Sequence, residues 1–148
     1  MIQLNIIIEK LKKEDLKEAI AIYDENHECV TDYEKLLSVY DDIYNNVAYH
    51  NVVAKIEGKI VGLVTMIINY DIVEDLKPFL TVWNFGVHKN YRRKKGGATL
   101  NEYIMKFAEE HNCSFVALLA EKDNKVAQSF YESLDYDKNI GYIKMLDK

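Results

Sequence analysis

Apolar positions along this chain fall into two rhythms. Apolar runs of strand length occupy residues 2–8 (IQLNIII), Asn51 to Lys55, Ile60 to Ile68, Val82 to Val87 and Ser114 to Ala120, those at 51–55 and 60–68 being rich in β-branched residues. Between them apolar residues recur at helical spacing. Leu16, Ala19, Ile20 and Tyr23 share one face, and Leu36, Leu37, Tyr40, Ile43 and Tyr44 share another. A third face runs from Leu100 through Tyr103, Ile104, Phe107 and Ala108 to His111, and a fourth joins Val126, Phe130 and Leu134. Thr31-Asp32-Tyr33-Glu34 has the form of a capping box, which starts the second helix at Thr31. Asn112 is a candidate to close the third helix, and Asp123 or Asn124 to open the fourth.

Turn residues set the connections. Ile56-Glu57-Gly58-Lys59 separates two strand-like runs and predicts a hairpin with Gly58 in its turn. Residues 69–80 (NYDIVEDLKPFL) hold the one proline and break the pattern. Ser114 to Ala120 is continuously apolar, as in a strand buried on both faces, and Ile140 to Met145 predicts a closing strand after Gly141. A strand, helix and strand over residues 82–120 implies a parallel pair beside the antiparallel hairpin. The expected fold is α/β (α+β), a mixed sheet with about four helices. No repeat or linker divides it, so residues 1–148 are expected to form one domain.

Composition narrows the class. A chain of 148 residues with 49% hydrophobic content buries about 68–70% of its unfolded surface and needs no disulfide or metal staple. Cys29 and Cys113 are far apart, so a reduced compartment and ordinary thiols are expected. The apolar start is brief and followed by charge, unlike a signal peptide or membrane span, which makes the cytoplasm the default location. A net charge of −5 and a pI near 5.4 argue against nucleic acid as the main partner.

One basic stretch stands apart from that balance. Val82 to Val87 leads into Arg92-Arg93-Lys94-Lys95-Gly96-Gly97, and a helix follows. A glycine turn opening a helix gathers unpaired N–H groups at the positive end of the helix dipole. Gly96 and Gly97 let the backbone approach a phosphate, and the cations add charge. The stretch reads as an anion site.

This segment resembles the cofactor motif of the GCN5-related N-acetyltransferases, in which Gln or Arg, two free positions, Gly, one free position and Gly or Ala cradle a pyrophosphate. Arg93 to Ala98 satisfies the pattern as written; the spacing to Tyr91 and Leu100 favours Arg92 as first member, with Lys95 where the first glycine usually stands. A second stretch, Asn124 to Tyr136, resembles the family's downstream motif of Asn, Ala, Phe-Tyr, Leu and Gly-Phe, with Leu134-Asp135-Tyr136 departing from its end. The resemblance implies a mostly antiparallel sheet with a parallel central strand pair, and acetyl-CoA as cosubstrate with no metal. It implies that Arg92, Arg93, Lys95, Gly96, Gly97 and Ala98 hold the pyrophosphate. Backbone groups of Phe85, Gly86 and Val87 would hold the pantetheine and acetyl oxygen, and Asn124 would touch the cofactor unless it is simply a helix cap. Tyr131 matches the tyrosine that donates a proton to the departing sulfur.

The acceptor side is less defined. The resemblance implies a small-molecule amine as acceptor, and a homodimer is common in the family. Trp83 stands where many members carry a catalytic glutamate, and an indole cannot take a proton from an ammonium. His27, Asp71, Glu74 and Asp75 lie in connections expected to border the acceptor. With Glu25 and Glu28 they make that side acidic, which favours a cationic acceptor. Without a base on the strand, the free amine would come from its small unprotonated fraction or from water-relayed proton loss. The alternative is a noncatalytic acyl-CoA-binding or regulatory module of the same fold.

Overall fold

The structure, a computed structural model, describes residues 5–73, 76–92 and 95–146. Its elements are β1 (Ile6–Lys10), α1 (Leu16–His27), α2 (Tyr33–Asn45), β2 (Tyr49–Ile56), β3 (Lys59–Asn69), β4 (Phe79–Val87), α3 (Gly96–Glu110), β5 (Val116–Leu118) and α4 (Lys125–Ser133). The five strands lie in the sheet in chain order. β1 to β4 pair antiparallel, and β4 and β5 are parallel. This is the mixed α/β architecture expected, with four helices and the parallel pair at the end of the strand order. Chain contacts divide into two compact units, residues 1–117 and 118–148.

In the first unit the hairpin follows from its turn. Glu57 and Gly58 both take positive φ, 50° and 80°, the combination that matches the twist of flanking strands. Ile56 and Lys59 are therefore partners. β1 lies at residues 6–10 rather than 2–8, because its partners are Ile56 to Val52 of β2; residues 2–4 fall outside the described residues. β4 begins at Phe79, earlier than the apolar run suggests, since Asn69 Nδ2 donates to Phe79 O and Thr81 Oγ1 and extends the β3 pairing.

The start of α2 also differs from expectation. Asp32, not Thr31, is the N-cap, accepting from Lys35 N at 3.1 Å. Thr31 instead donates through its N–H and hydroxyl to the Asp24 carboxylate, at 2.9 and 2.6 Å. The α1–α2 connection is thus tied to the last turn of α1. At α3, Asn112 closes the helix in the left-handed region with φ 56°, and Cys113 N donates to Ala108 O.

The core joins α1 to the sheet through Ala19, Ile22, Val53, Ile60 and Leu63. Leu100, Ile104 and Phe107 supply the buried stripe of α3. Gly62 lets α3 approach the sheet, because a Cβ there would meet Leu100 Cδ1 at 2.9 Å. β5 is shorter than the SFVALLA run and only half-buried, with Phe115 and Leu119 exposed beside it. Among the described residues it is last in the strand order, with a sheet neighbour on one side.

In the second unit, Asn124 caps α4 by accepting from Ala127 N at 3.0 Å, and Gln128 Nε2 braces the preceding turn through Glu121 O and Lys122 O. The helix ends with Asp135 at φ 66° and Tyr136 N donating to Tyr131 O. The closing strand expected at Ile140 to Met145 is not formed. Ile140, Tyr142, Ile143 and Met145 are exposed, and among the described residues no backbone pairs with them. Strand propensity acts only where another backbone offers its ladder.

Candidate active site

The irregular point of the sheet lies in β4. Leu63 pairs with Gly86 and Thr65 with Trp83, so Asn84 and Phe85 together face Val64. That is a β-bulge, and Asn84 carries it with φ 54°. Asparagine tolerates this region better than most residues. Its Nδ2 donates to Thr65 Oγ1 at 3.1 Å, and the Thr65 hydroxyl donates to Asn51 Oδ1 at 2.6 Å. Three polar side chains from three adjacent strands are therefore linked on one sheet face.

A cavity of about 290 Å³ opens over that face, beneath α1 and α2. The Asn84–Thr65–Asn51 chain lies at its sheet side, and Tyr23, Tyr40, Tyr44 and Tyr49 line it with aliphatic residues. Among the described residues Lys10 is the one charged residue of the lining. Its Nζ sits 3.7 Å from the centre of the Tyr44 ring. Tyr40 is buried, and burial pushes its phenol pKa up.

Beyond the bulge, a Cβ on Gly86 would meet Asn26 Nδ2 at 3.2 Å, so glycine lets α1 close onto β4 here. His88 N donates to Val61 O at 2.7 Å and marks the end of the β3 pairing. A single 3₁₀ turn, Lys89–Tyr91, leads to Arg92. Arg92 folds back, donating through Nε to Val87 O at 3.3 Å and through Nη2 to Asn26 Oδ1. Two of its five N–H donors are thereby used.

Lys95 precedes α3 in the left-handed region, φ 66°, and makes no side-chain cap. The first intrahelical bond is Thr99 N to Lys95 O. The N–H groups of Gly96, Gly97 and Ala98 thus have no intrahelical acceptor. A Cβ on Gly96 would press on Val87 Cγ1 at 3.3 Å, which keeps the first turn against β4. This cradle suits a phosphate: three N–H groups, the dipole's positive end and two described cations. Arg93, named by the sequence for the same role, lies outside the described residues.

The other expected site residues are dispersed. Trp83 is 45% exposed on β4 and does not line the cavity. His27 is exposed and stacks on Tyr23 at 4.2 Å, reaching the cavity wall only through that ring. Asp71 accepts from Val73 N in its own loop, and Glu74 and Asp75 lie outside the described residues. Glu25 pairs with Lys89 at 2.6 Å, and that ammonium lowers its pKa. Of the described acidic residues, Glu25, Glu28 and Asp71 do not line the cavity. Among the described residues no group of three or more His, Cys, Asp or Glu could hold a metal.

Sequence reasoning missed Asn26, Asn51, Thr65 and Asn84. One signal was available for Asn84: an amide inside the apolar run VWNFGV disfavours a regular strand. Within the second unit, Tyr131 is half-buried and its ring meets Tyr136 edge-on at 5.8 Å. Burial raises the Tyr131 pKa, and burial with the neighbouring Tyr131 pushes Tyr136 up to about 12.

The chain thus combines a bulged strand, a helix start suited to a phosphate and a cavity on a mixed sheet. A family model described as the acetyltransferase (GNAT) family matches residues 7–136, and the chain belongs to that family of acetyltransferases. Compared by sequence with curated proteins, the chain matches none. Among solved structures it is similar to a transcriptional regulator from Bacillus halodurans C-125, with TM-score 0.87 and 18% identity over 95% of this chain and 99% of that one. It is also similar to glucosamine-6-phosphate N-acetyltransferase from Arabidopsis thaliana, with TM-score 0.81 and 22% identity over 97% and 99%. A third similar structure is an aminoglycoside N-acetyltransferase in complex with CoA, with TM-score 0.82 and 16% identity over 98% and 96%. No helix among the described residues is long and apolar enough to cross a membrane.

Proposed function

We propose that this protein transfers the acetyl group of acetyl-CoA to the amine of a small molecule that enters the cavity beneath α1 and α2. The observation that carries this reading is the bulge at Asn84 and Phe85, which lies between that cavity and the cradle at the start of α3. Acetyl-CoA supplies an activated thioester. The first-turn N–H groups of α3, with Arg92 and Lys95, would bind its pyrophosphate. Lys95 in the left-handed region favours the motif register that begins at Arg92, because a glycine normally meets that conformational demand.

The bulge interrupts the one-to-one register of β4 with β3 at Asn84 and Phe85, and in this reading backbone groups of Phe85 to Val87 hold the pantetheine and the acetyl oxygen. The amine nitrogen forms a bond to the thioester carbon as the C–S bond breaks. One proton leaves the nitrogen for water, and one reaches the departing sulfur. Tyr131 is the residue whose motif position fits that last role. Its raised pKa keeps the phenol protonated at neutral pH but makes full donation to a thiolate less favourable, so a strong hydrogen bond to the sulfur is its main contribution.

The test is amine-dependent release of free CoA thiol, with the acetylated amine identified by mass spectrometry. Tight CoA binding without release for any amine would instead favour the noncatalytic module.

A further inference from the structure

We infer that the acceptor is an aralkylamine, one aromatic ring carrying a single aliphatic amino group, and that polycationic amines are excluded. The inference rests on the acetyltransferase reading and concerns the chemistry of the acceptor cavity. Three properties of that cavity carry it.

The first is charge. Among the described residues no carboxylate lines the cavity, and the one charged lining residue, Lys10, is positive. A polyamine or aminoglycoside brings several ammonium groups, each of which needs a counter-charge once out of water. Here each would meet Lys10 instead. Aromatic rings could in principle replace carboxylates by cation–π contact. However, Tyr44 already holds Lys10 at 3.7 Å, and Lys13 lies 5.8 Å from the Tyr40 ring.

The second is lining and size. Four tyrosines and a set of aliphatic side chains present flat apolar walls. Such walls suit one aromatic ring stacked offset or edge-on. A volume of about 290 Å³ lies at the small end of ligand cavities.

The third is the reaction's own demand. The nucleophile must be an unprotonated amine, and an apolar cavity with a nearby cation favours the neutral form, whereas a carboxylate would favour the ammonium. A cavity without acids therefore performs part of the work of a missing base. The Asn84–Thr65–Asn51 chain provides polar atoms toward which one neutral amine can be oriented at the bulge. A single amino group fits that single polar strip.

The test compares 2-phenylethylamine with spermidine by thiol release, in the wild-type protein and in Lys10→Glu, with acetyl-CoA binding followed by calorimetry. Lys10 is exposed on β1, so the change should leave the fold intact. The wild-type protein should prefer the aralkylamine in kcat/KM by at least about tenfold, and Lys10→Glu should narrow that ratio by several-fold. A wild-type preference for spermidine, or a ratio unmoved by Lys10→Glu, overturns the inference. Failure of both amines while acetyl-CoA binds overturns the substrate class and leaves the cosubstrate assignment standing. Absence of acetyl-CoA binding overturns the acetyl-transfer reading and this inference with it.

Discussion

Asn84 Nδ2 donates to Thr65 Oγ1 across 3.1 Å at the point where β4 carries one residue more than β3. The same asparagine supplies the positive φ of the bulge and the first polar group of the cavity. In the proposed function backbone shape and acceptor orientation meet in one residue, and substitution can separate them. Asn84→Gly keeps the left-handed backbone accessible, whereas Asn84→Ala removes the amide and strains φ. Both should lower kcat/KM for the amine by about tenfold if the amide orients it. Thermal denaturation should show Asn84→Ala to be the less stable by about 1 kcal/mol. Unchanged kinetics in Asn84→Gly would limit the side chain to a structural role.

The cradle at α3 gives a second expectation. Gly97→Val adds a branched side chain in the first turn, where a phosphate must approach the N–H groups. CoA binding measured by calorimetry should be lost while circular dichroism remains that of the folded protein. Normal CoA affinity in this variant would remove the first turn of α3 from the cofactor site.

Tyr131→Phe should lower kcat by about tenfold or more and leave acetyl-CoA affinity within about twofold, because the hydroxyl acts as charge develops on sulfur. The pH dependence has a definite sign. A phenol must be protonated to serve the sulfur, and burial raises the pKa of Tyr131 above its ordinary value of 10. The donor is thus retained through neutral pH, and any loss of activity from its ionisation begins above pH ~10. An alkaline limb lying below that value and missing in Tyr131→Phe would contradict the burial argument. Unchanged steady-state kinetics would leave Tyr131 as a packing residue.

Two non-glycine residues occupy left-handed positions where the family's motifs carry glycine. Lys95 has φ 66° before α3 and Asp135 has φ 66° after α4. Each should be relieved by glycine, and Lys95→Gly and Asp135→Gly should each stabilise the protein by about 1 kcal/mol in chemical denaturation. A loss of stability in either variant would mean that the side chain repays its backbone cost through a contact of its own.

These two positions also mark how far the sequence was legible. Periodicity located the helices and the hairpin, because buried faces repeat at fixed spacing and Glu57-Gly58 makes a turn that fits the strands. The helix start at Gly96 was legible because glycine and the onset of apolar periodicity are local features. The cavity beneath α1 and α2 was not. Its polar strip joins Asn51, Thr65 and Asn84 from three strands, and no local pattern pairs residues so far apart. Tyr40 and Tyr44 looked like an ordinary helix face, since packing and ligand walls use the same residues. Glu25 was placed by sequence in a connection, whereas it lies in the last turn of α1 and pairs with Lys89, a partner far along the chain that no local pattern shows. At Ile140 to Met145 the apolar alternation signalled a strand, and the missing ingredient was a neighbouring backbone.

The most direct measurement of the central claim is the effect of filling the cavity. Leu36 is half-buried on α2 and lines the cavity away from the α3 cradle. In Leu36→Trp, an indole would occupy volume that the acceptor needs. Amine-dependent thiol release and calorimetric binding of acetyl-CoA should then part company. The account predicts that acetyl-CoA binds within about twofold of wild type while kcat/KM for the amine falls by at least about tenfold. Undiminished turnover in a folded Leu36→Trp protein would show that the amine reacts elsewhere and would contradict the account.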